Sequence, residues 1–196
     1  DIGVMTHGEE ANKPLWQQLV DGGYRALTEL KNSGVCSAIG LGTNEWEVQL
    51  EALGIGDWDI FLLAGRYTLL EQTSLDFLAT CLKRGASVIA GAPFNGGALM
   101  GTGKWNYDAA PLEIAARVKA LEDFCKEWNV PIGAAALQFP LAHEAVCNVL
   151  TGPKSIAELD GTLAWWNTKI PAEFWGALAE KKLVAPGTPL PNGKTA

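Results

Sequence analysis

Hydrophobic and polar positions follow two alternating rhythms along this chain. Short unbroken apolar runs, bounded by turn residues, predict strands at Cys36–Gly42, Asp59–Ala64, Ser87–Ala92 and Cys147–Leu150. Between them apolar residues return every three or four positions, the spacing of one helix face. That spacing predicts helices over Pro14–Asn32, Glu45–Leu53, Ser74–Arg84, Leu112–Glu127, Ile132–Phe139, Ile156–Trp166 and Pro171–Lys182. Pro140 stops the fifth of these. The run from Ser87 reads as a strand buried on both faces, as in a parallel sheet. Before Pro14 there is only a weak alternation at Ile2, Val4 and Met5, then a polar stretch from Thr6 to Asn12. The tail from Ala185 is rich in proline and glycine and reads as irregular.

Strands that alternate with helices mark βαβ units around a parallel sheet. A doubly wound dinucleotide fold is disfavoured, because no GxGxxG follows the first strand. Unit spacing of about thirty residues or more suits a (β/α)8 barrel of the TIM type, whose ligands sit at the C-terminal ends of the strands. A whole barrel needs eight strands and about 250 residues. This chain has 196 residues and four predicted strands. The expected architecture is half of such a barrel over residues 1–184, with a tail over 185–196.

Two loops at strand ends carry candidate chemistry. The third strand breaks at Pro93 into a loop with Gly96, Gly97, Gly101 and Gly103. Glycine lets backbone press close to a ligand and aim N–H groups at it. In α/β folds a buried strand feeding such a loop is where phosphate-bearing cofactors sit; a bare surface loop has the same spacing. The fourth strand leads into Thr151-Gly152-Pro153-Lys154-Ser155 and a helix. Ser155 is placed as its N-cap, and the free N–H groups there suit an anion, with Lys154 beside them. An ordinary cap with a solvated lysine reads the same way. Two such ends in one chain say more than either alone.

Composition narrows the partners. A 48% hydrophobic and 19% charged chain is globular, and no apolar run is long enough to span a bilayer. The net charge of −7 argues against nucleic acid, whose phosphates need a basic surface. No basic amphipathic stretch marks a membrane surface. Cys36, Cys81, Cys125 and Cys147 are widely spaced, without a CxxC pair, so no metal site is expected. Free thiols packed as small hydrophobes suit a reducing cytoplasm. The chain opens at Asp1 without methionine; a cleaved precursor, a partial gene or a trimmed chain would each begin this way.

Four segments in order carry a resemblance: SAIGLGTNEW (Ser37–Trp46), LLAGRYTLLEQ (Leu62–Gln72), GAPFNGGAL (Gly91–Leu99) and VLTGPKS (Val149–Ser155). Together they resemble the C-terminal half of the aldo/keto reductases, nearest the aldose dehydrogenase branch (the L-fucose and D-threo-aldose 1-dehydrogenase type). The resemblance implies a barrel that binds NAD or NADP without a Rossmann domain. Thr43 and Asn44 match the pair that holds the nicotinamide carboxamide. Pro93, Phe94, Asn95, Gly96, Gly97 and Leu99 match the segment whose backbone wraps the pyrophosphate. Gly152, Lys154, Ser155, Glu158 and Thr162 match the adenosine end.

The sequence also departs from the family pattern. Ala64 stands where the family commonly has glutamine, and Gly91 where a tyrosine usually stacks on the nicotinamide; glycine there fits the aldose dehydrogenase branch. Asp160 replaces a common arginine, and with Glu158 makes this end less welcoming to a 2′-phosphate. The resemblance places the catalytic Asp, Tyr, Lys and His upstream of Asp1, so no catalytic residue is assigned here. His7 is expected in a loop without a catalytic part, and His143 at a helix end.

The implied activity is oxidation of the C1 hydroxyl of a sugar to a lactone. Trp46, Arg66, Tyr67, Phe94 and Trp105 are candidates for the substrate wall, since aromatic faces suit the apolar faces of a sugar; core packing is the competing role for each aromatic. Two other readings stand beside this one. A non-catalytic half barrel would bind nucleotide weakly or self-associate through its open edges. A small α/β binding domain unrelated to the family is the third.

Overall fold

The computed structural model describes residues 2–105 and 108–192, so Asp1 and the last four residues of the expected tail lie outside them. The centre is a parallel sheet of β1 (Gly40–Thr43), β2 (Ile60–Ala64), β3 (Ser87–Gly91) and β6 (Val146–Leu150), in the order β1-β2-β3-β6. Gly42, Leu62, Ile89 and Asn148 stand level across it. Helices make each crossover: α4 (Trp46–Ala52), α5 (Leu75–Arg84), then α6 (Leu112–Glu127) with α7 (Ile132–Gln138). After β6 come α8 (Ile156–Trp166) and α9 (Ala172–Glu180). At Gly40 an added Cβ would stand 1.8 Å from the Ile60 carbonyl oxygen, so only glycine lets the two strands meet there.

Several sequence expectations shift. β1 begins at Gly40 rather than Cys36. Just before it, the Asp59 carboxylate accepts the Ile39 amide at 2.8 Å, taking a donor that a strand ladder could use. β3 is not buried on both faces. Val88 and Ala90 pack under the helices, while Ser87 and Ile89 are half-exposed on the other side of the sheet. Four strands do not close, so that side stays open. The first long helix starts at Glu9, not Pro14. It runs as α2 (Glu9–Gln18), a π-helical turn (Leu19–Gly23) and α3 (Tyr24–Asn32), with Pro14 inside. Ahead of it, the short α1 (Val4–His7) places His7 at a helix end rather than in a loop. After α7 the chain continues through Pro140 as a 3₁₀ turn, Phe139–Ala142. The loop after β3 holds a 3₁₀ segment (Asn95–Met100) and a small antiparallel pair, β4 (Lys104–Trp105) with β5 (Asp108–Ala109), that the sequence pattern did not suggest.

The core lies between the sheet and its helices, around Phe61, Phe77, Phe124, Phe139, Phe174 and Trp175, all essentially without exposure. Cys81 and Cys125 sit in it, and burial pushes both thiols up to about 12. Residues 183–192 form no helix or strand, but Val184 is buried and the Ala185 amide donates to Gln72 Oε1 at 2.9 Å. No described helix is long and apolar enough to cross a membrane.

Asp59 ties α3 to the sheet. Besides the Ile39 amide it accepts Lys31 Nζ at 2.6 and 2.7 Å. These partners, Lys31 first, hold its carboxyl below the usual value. A depressed folded pKa stabilises above the unfolded value and is lost as pH falls through the folded one. Asp59→Asn is therefore expected to cost on the order of 1 kcal/mol at neutral pH, discounted for partial exposure. The difference from wild type should shrink on acidification below about pH 4. Urea unfolding at pH 7 and pH 3 checks this; a gap that stays constant with pH would contradict it.

Candidate functional site

Because the strands are parallel, all four C-terminal ends open on one side of the sheet. There the loop after β3 and the start of α8 face each other across a cavity of about 650 Å³, within the range of small-molecule sites. Of the residues matched to a cofactor, Phe94, Gly96, Gly97, Gly152, Lys154, Glu158 and Thr162 line it. Pro93 lines an adjoining hollow of about 330 Å³, shared with Phe94 and Gly152.

The fold explains how each wall is held. Phe94 stands edge-on to Trp165 at 5.8 Å between centroids, so α8 and the loop meet through two rings. Gly97 has φ +98°, a backbone state that a side chain would strain. A Cβ there would also meet the Thr102 side chain at 2.8 Å. This wall thus presents bare backbone to the cavity. Gly152 has open space where a Cβ would stand, which leaves the opposite rim shallow.

At the segment matched to the adenosine end, Ser155 is the N-cap of α8, as expected, and its Oγ accepts the Glu158 amide at 3.2 Å. The Glu158 carboxylate folds back and accepts the Lys154 amide at 2.6 Å. A carboxylate therefore already occupies the anion position at this helix end. Ser155 caps rather than lines the cavity, and Thr162 Oγ1 donates to the Glu158 carbonyl.

Asn95 and Leu99 lie beneath the loop, each 1% exposed, and their side chains support the wall rather than face the cleft. Thr43 ends β1 and Asn44 follows it, two strands from β3 and so ~10 Å across the sheet. Thr43 Oγ1 donates to the Glu45 carbonyl. The floor between β1 and the cleft is made shallow by Ala64 and Gly91, paired in register.

The expected substrate wall divides. Arg66 and Trp105 come together, the guanidinium 5.9 Å from the ring centroid. Trp46 opens α4 and is half-buried, and it is not among the residues that line the cleft. Tyr67 does not join them. It is 1% exposed and packs on Phe139 and, edge-on, on His143. Its hydroxyl finds no hydrogen-bond partner among the described residues, and burial drives its pKa upward. His143 is buried with it, its Nδ1 accepting the Ala145 amide, and burial holds it below the usual histidine value. Both aromatic residues serve the core in this structure.

Behind Arg66 lies a polar cluster that the sequence reading missed. Glu71, 8% exposed, accepts Arg66 Nη1 at 3.2 Å on Oε2. Its Oε1 accepts both Asn95 Nδ2 and Trp105 Nε1 at 2.7 Å. Asn95 Oδ1 accepts Thr68 Oγ1 at 2.6 Å, and Arg66 Nε donates to the Asn44 carbonyl at 3.1 Å. Trp165 was missed as well, though a signal existed. Glu158, Thr162 and Trp165 recur at helical spacing on one side of α8, and all three line the cavity. Among the described residues no three His, Cys, Asp or Glu side chains converge to hold a metal.

A parallel sheet whose strands are joined by helices, with a glycine-walled cleft at its C-terminal ends, is the architecture of an α/β protein of the barrel class. The sequence profile of the aldo/keto reductase family matches residues 5–182, and the chain belongs to that family. It is 43% identical over 191 residues to pyridoxal 4-dehydrogenase of Microbacterium luteolum, covering 94% of this chain and 56% of that protein. It is 33% identical over 167 residues to D-threo-aldose 1-dehydrogenase of a Pseudomonas species, covering 82% and 51%. The chain thus spans about half the length of these curated relatives. In fold it is similar to aldo-keto reductase AKR11C1 from Bacillus halodurans in its holo form, at 23% identity and TM-score 0.65, over 89% of this chain and 59% of that one. Aldo/keto reductases are oxidoreductases that use nicotinamide cofactors.

Proposed function

We propose that this chain is the cofactor-holding half of a nicotinamide-dependent dehydrogenase that oxidises a cyclic hemiacetal to a lactone. The observation that carries this is the cleft between the loop after β3 and α8, walled by Phe94, Gly96 and Gly97 on one side and Gly152 to Thr162 on the other. The substrate reading comes from the two relatives. An aldose and pyridoxal share one feature: a hydroxyl close enough to close on its own aldehyde. The hemiacetal so formed carries the C–H and O–H that such an oxidation removes. The bound cofactor supplies the hydride acceptor. Residues of this chain wrap its pyrophosphate with backbone, hold its adenosine end over α8 and reach its nicotinamide end from Thr43 and Asn44. Arg66 and Trp105 lie near that end as candidate substrate contacts. The groups that move the hydroxyl proton belong to the part of the relatives' length that this chain does not cover. The 196-residue chain alone is accordingly proposed to bind cofactor without turnover.

NAD is the proposed cofactor in preference to NADP. Glu158 already occupies the anion position of α8, and Asp160 adds charge close by, against Lys154 alone. Titration with NADH and NADPH is the test, read through quenching of tryptophan fluorescence beside Trp165. NADH should bind about fivefold tighter, a preference on the order of 1 kcal/mol for exposed, screened charges. Glu158→Gln should bring the two together. A strong NADPH preference that survives the substitution would contradict the role of Glu158. Lactone formation from L-fucose or from pyridoxal by the product of the whole coding sequence tests the substrate class.

A second reading has its own observation. Leu150, Ile156, Leu159 and Leu163 are 44–80% exposed around the open β6 edge. Such a surface favours self-association. A chain that forms dimers and binds neither nucleotide would support that reading instead.

A further inference from the structure

We propose that Glu71 is a positioning residue that staples the two ends of the cofactor-wrapping loop, and so fixes the shape of the cleft wall. The inference rests on the reading of that cleft as the cofactor site. Its basis is that one carboxylate oxygen binds both ends of a single segment. Glu71 Oε1 accepts Asn95 Nδ2 where the loop leaves β3, and Trp105 Nε1 where it reaches β4, both at 2.7 Å. Between these anchors lie Gly96, Gly97, Met100 and Thr102, which form one wall of the cleft. The segment does not hold one shape by itself. Asn95 is at φ +49°, a state a side chain enters at some cost, while Gly96, Gly97 and Gly101 reach the left-handed region freely and leave the backbone with many alternatives. Anchors at its two ends select one of these.

The anchor itself is well fixed. Arg66 holds Oε2, and the guanidinium in turn donates to the Asn44 carbonyl at the end of β1. Asn95 Nδ2 also donates to the Gly65 carbonyl, and its Oδ1 accepts the Thr68 hydroxyl. Glu71 thus joins the ends of β1, β2 and β3 through buried, charge-assisted hydrogen bonds, which are stronger than neutral ones. Removing the carboxylate takes one acceptor from each of Arg66, Asn95 and Trp105. The loop would then be free to leave the position in which its backbone can wrap a pyrophosphate.

The test needs no turnover, because Lys104 is exposed and sits inside the stapled segment, next to Trp105. Trypsin cleavage at Lys104 is compared with cleavage at Lys119, exposed on α6, as an internal control. Glu71→Ala should speed cleavage at Lys104 by roughly tenfold or more without changing Lys119, and weaken NADH binding by a similar factor. Glu71→Gln keeps an acceptor for Asn95 and Trp105, so it should fall between Glu71→Ala and wild type in both readouts. It also stands in if the alanine variant does not fold. Trp105→Phe removes one anchor, and its effect on NADH affinity should not add to that of Glu71→Ala. Cleavage rising equally at Lys104 and Lys119, strictly additive effects, or unchanged NADH affinity despite a freed loop would each overturn the proposal. If wild type binds no NADH while Lys104 alone is freed in Glu71→Ala, the staple stands and the cofactor reading falls.

Discussion

Gly97→Val is expected to weaken NADH binding by roughly thirtyfold while leaving the fold in place. The backbone at Gly97 has φ +98° and ψ 1°. A residue with a Cβ is held in the left-handed region only at a cost of about 1–2 kcal/mol, and a β-branched one is a marked outlier there. The added Cβ would also stand 2.8 Å from Thr102 Cγ2 and Oγ1. In the free chain the loop escapes this strain by moving. To hold the cofactor it must return, so the strain appears as lost affinity; about 2 kcal/mol is roughly thirtyfold. Helices and sheet do not depend on this position, so the unfolding midpoint should move little. Isothermal titration of NADH into both proteins measures the difference. Equal affinities would remove the loop after β3 from the cofactor site.

The largest expected loss of stability is at Trp175. Its side chain is 1% exposed and packs on Phe174 at 4.9 Å and Phe139 at 6.5 Å between centroids. Phe139 in turn packs on Tyr67. Trp175→Ala should therefore cost about 3–5 kcal/mol, the range for emptying a large aromatic site that cannot fully collapse. Against a total of about 5–15 kcal/mol, that is a large share. The urea midpoint should fall by roughly 2 M, given typical slopes. Trp175→Phe, which keeps most of the ring contact, should lose less than half as much. A loss under about 1 kcal/mol for the alanine variant would mean that α9 is not part of the cooperative core.

The elements most legible in the sequence were those whose hydrophobic pattern is local. β2 and β3 read within a residue of their observed bounds, because unbroken apolar runs are flanked there by Gly65 and Ala86-to-Gly85 turns. The stretch Glu9–Lys13 did not read as helix, because it is polar throughout and carries no face to detect. β4 and β5 were invisible since two-residue strands leave no period. Glu158 and Thr162 were placed through the family resemblance, and Trp165, which follows them at helical spacing, was overlooked. Tyr67 shows the opposite failure: a residue's type suggested a substrate wall, but the chain turns after Ala64 and carries the ring into the core. Glu71 gave little local signal. Arg66 lies five positions away, but its other two donors lie 24 and 34 positions away, and only the fold brings all three to one carboxylate.

The capping arrangement at α8 has a consequence for how cofactor use can drift. Glu158 closes the helix start, and under the proposed function it also carries the charge that disfavours a 2′-phosphate. Most replacements that remove the charge also open the cap, at about 1 kcal/mol. Glutamine is the exception, because a Ser-x-x-Gln box can still reach back to a backbone amide. A lineage of this protein moving toward NADP has one cheap mutational step at position 158, and every other route begins with a less stable helix.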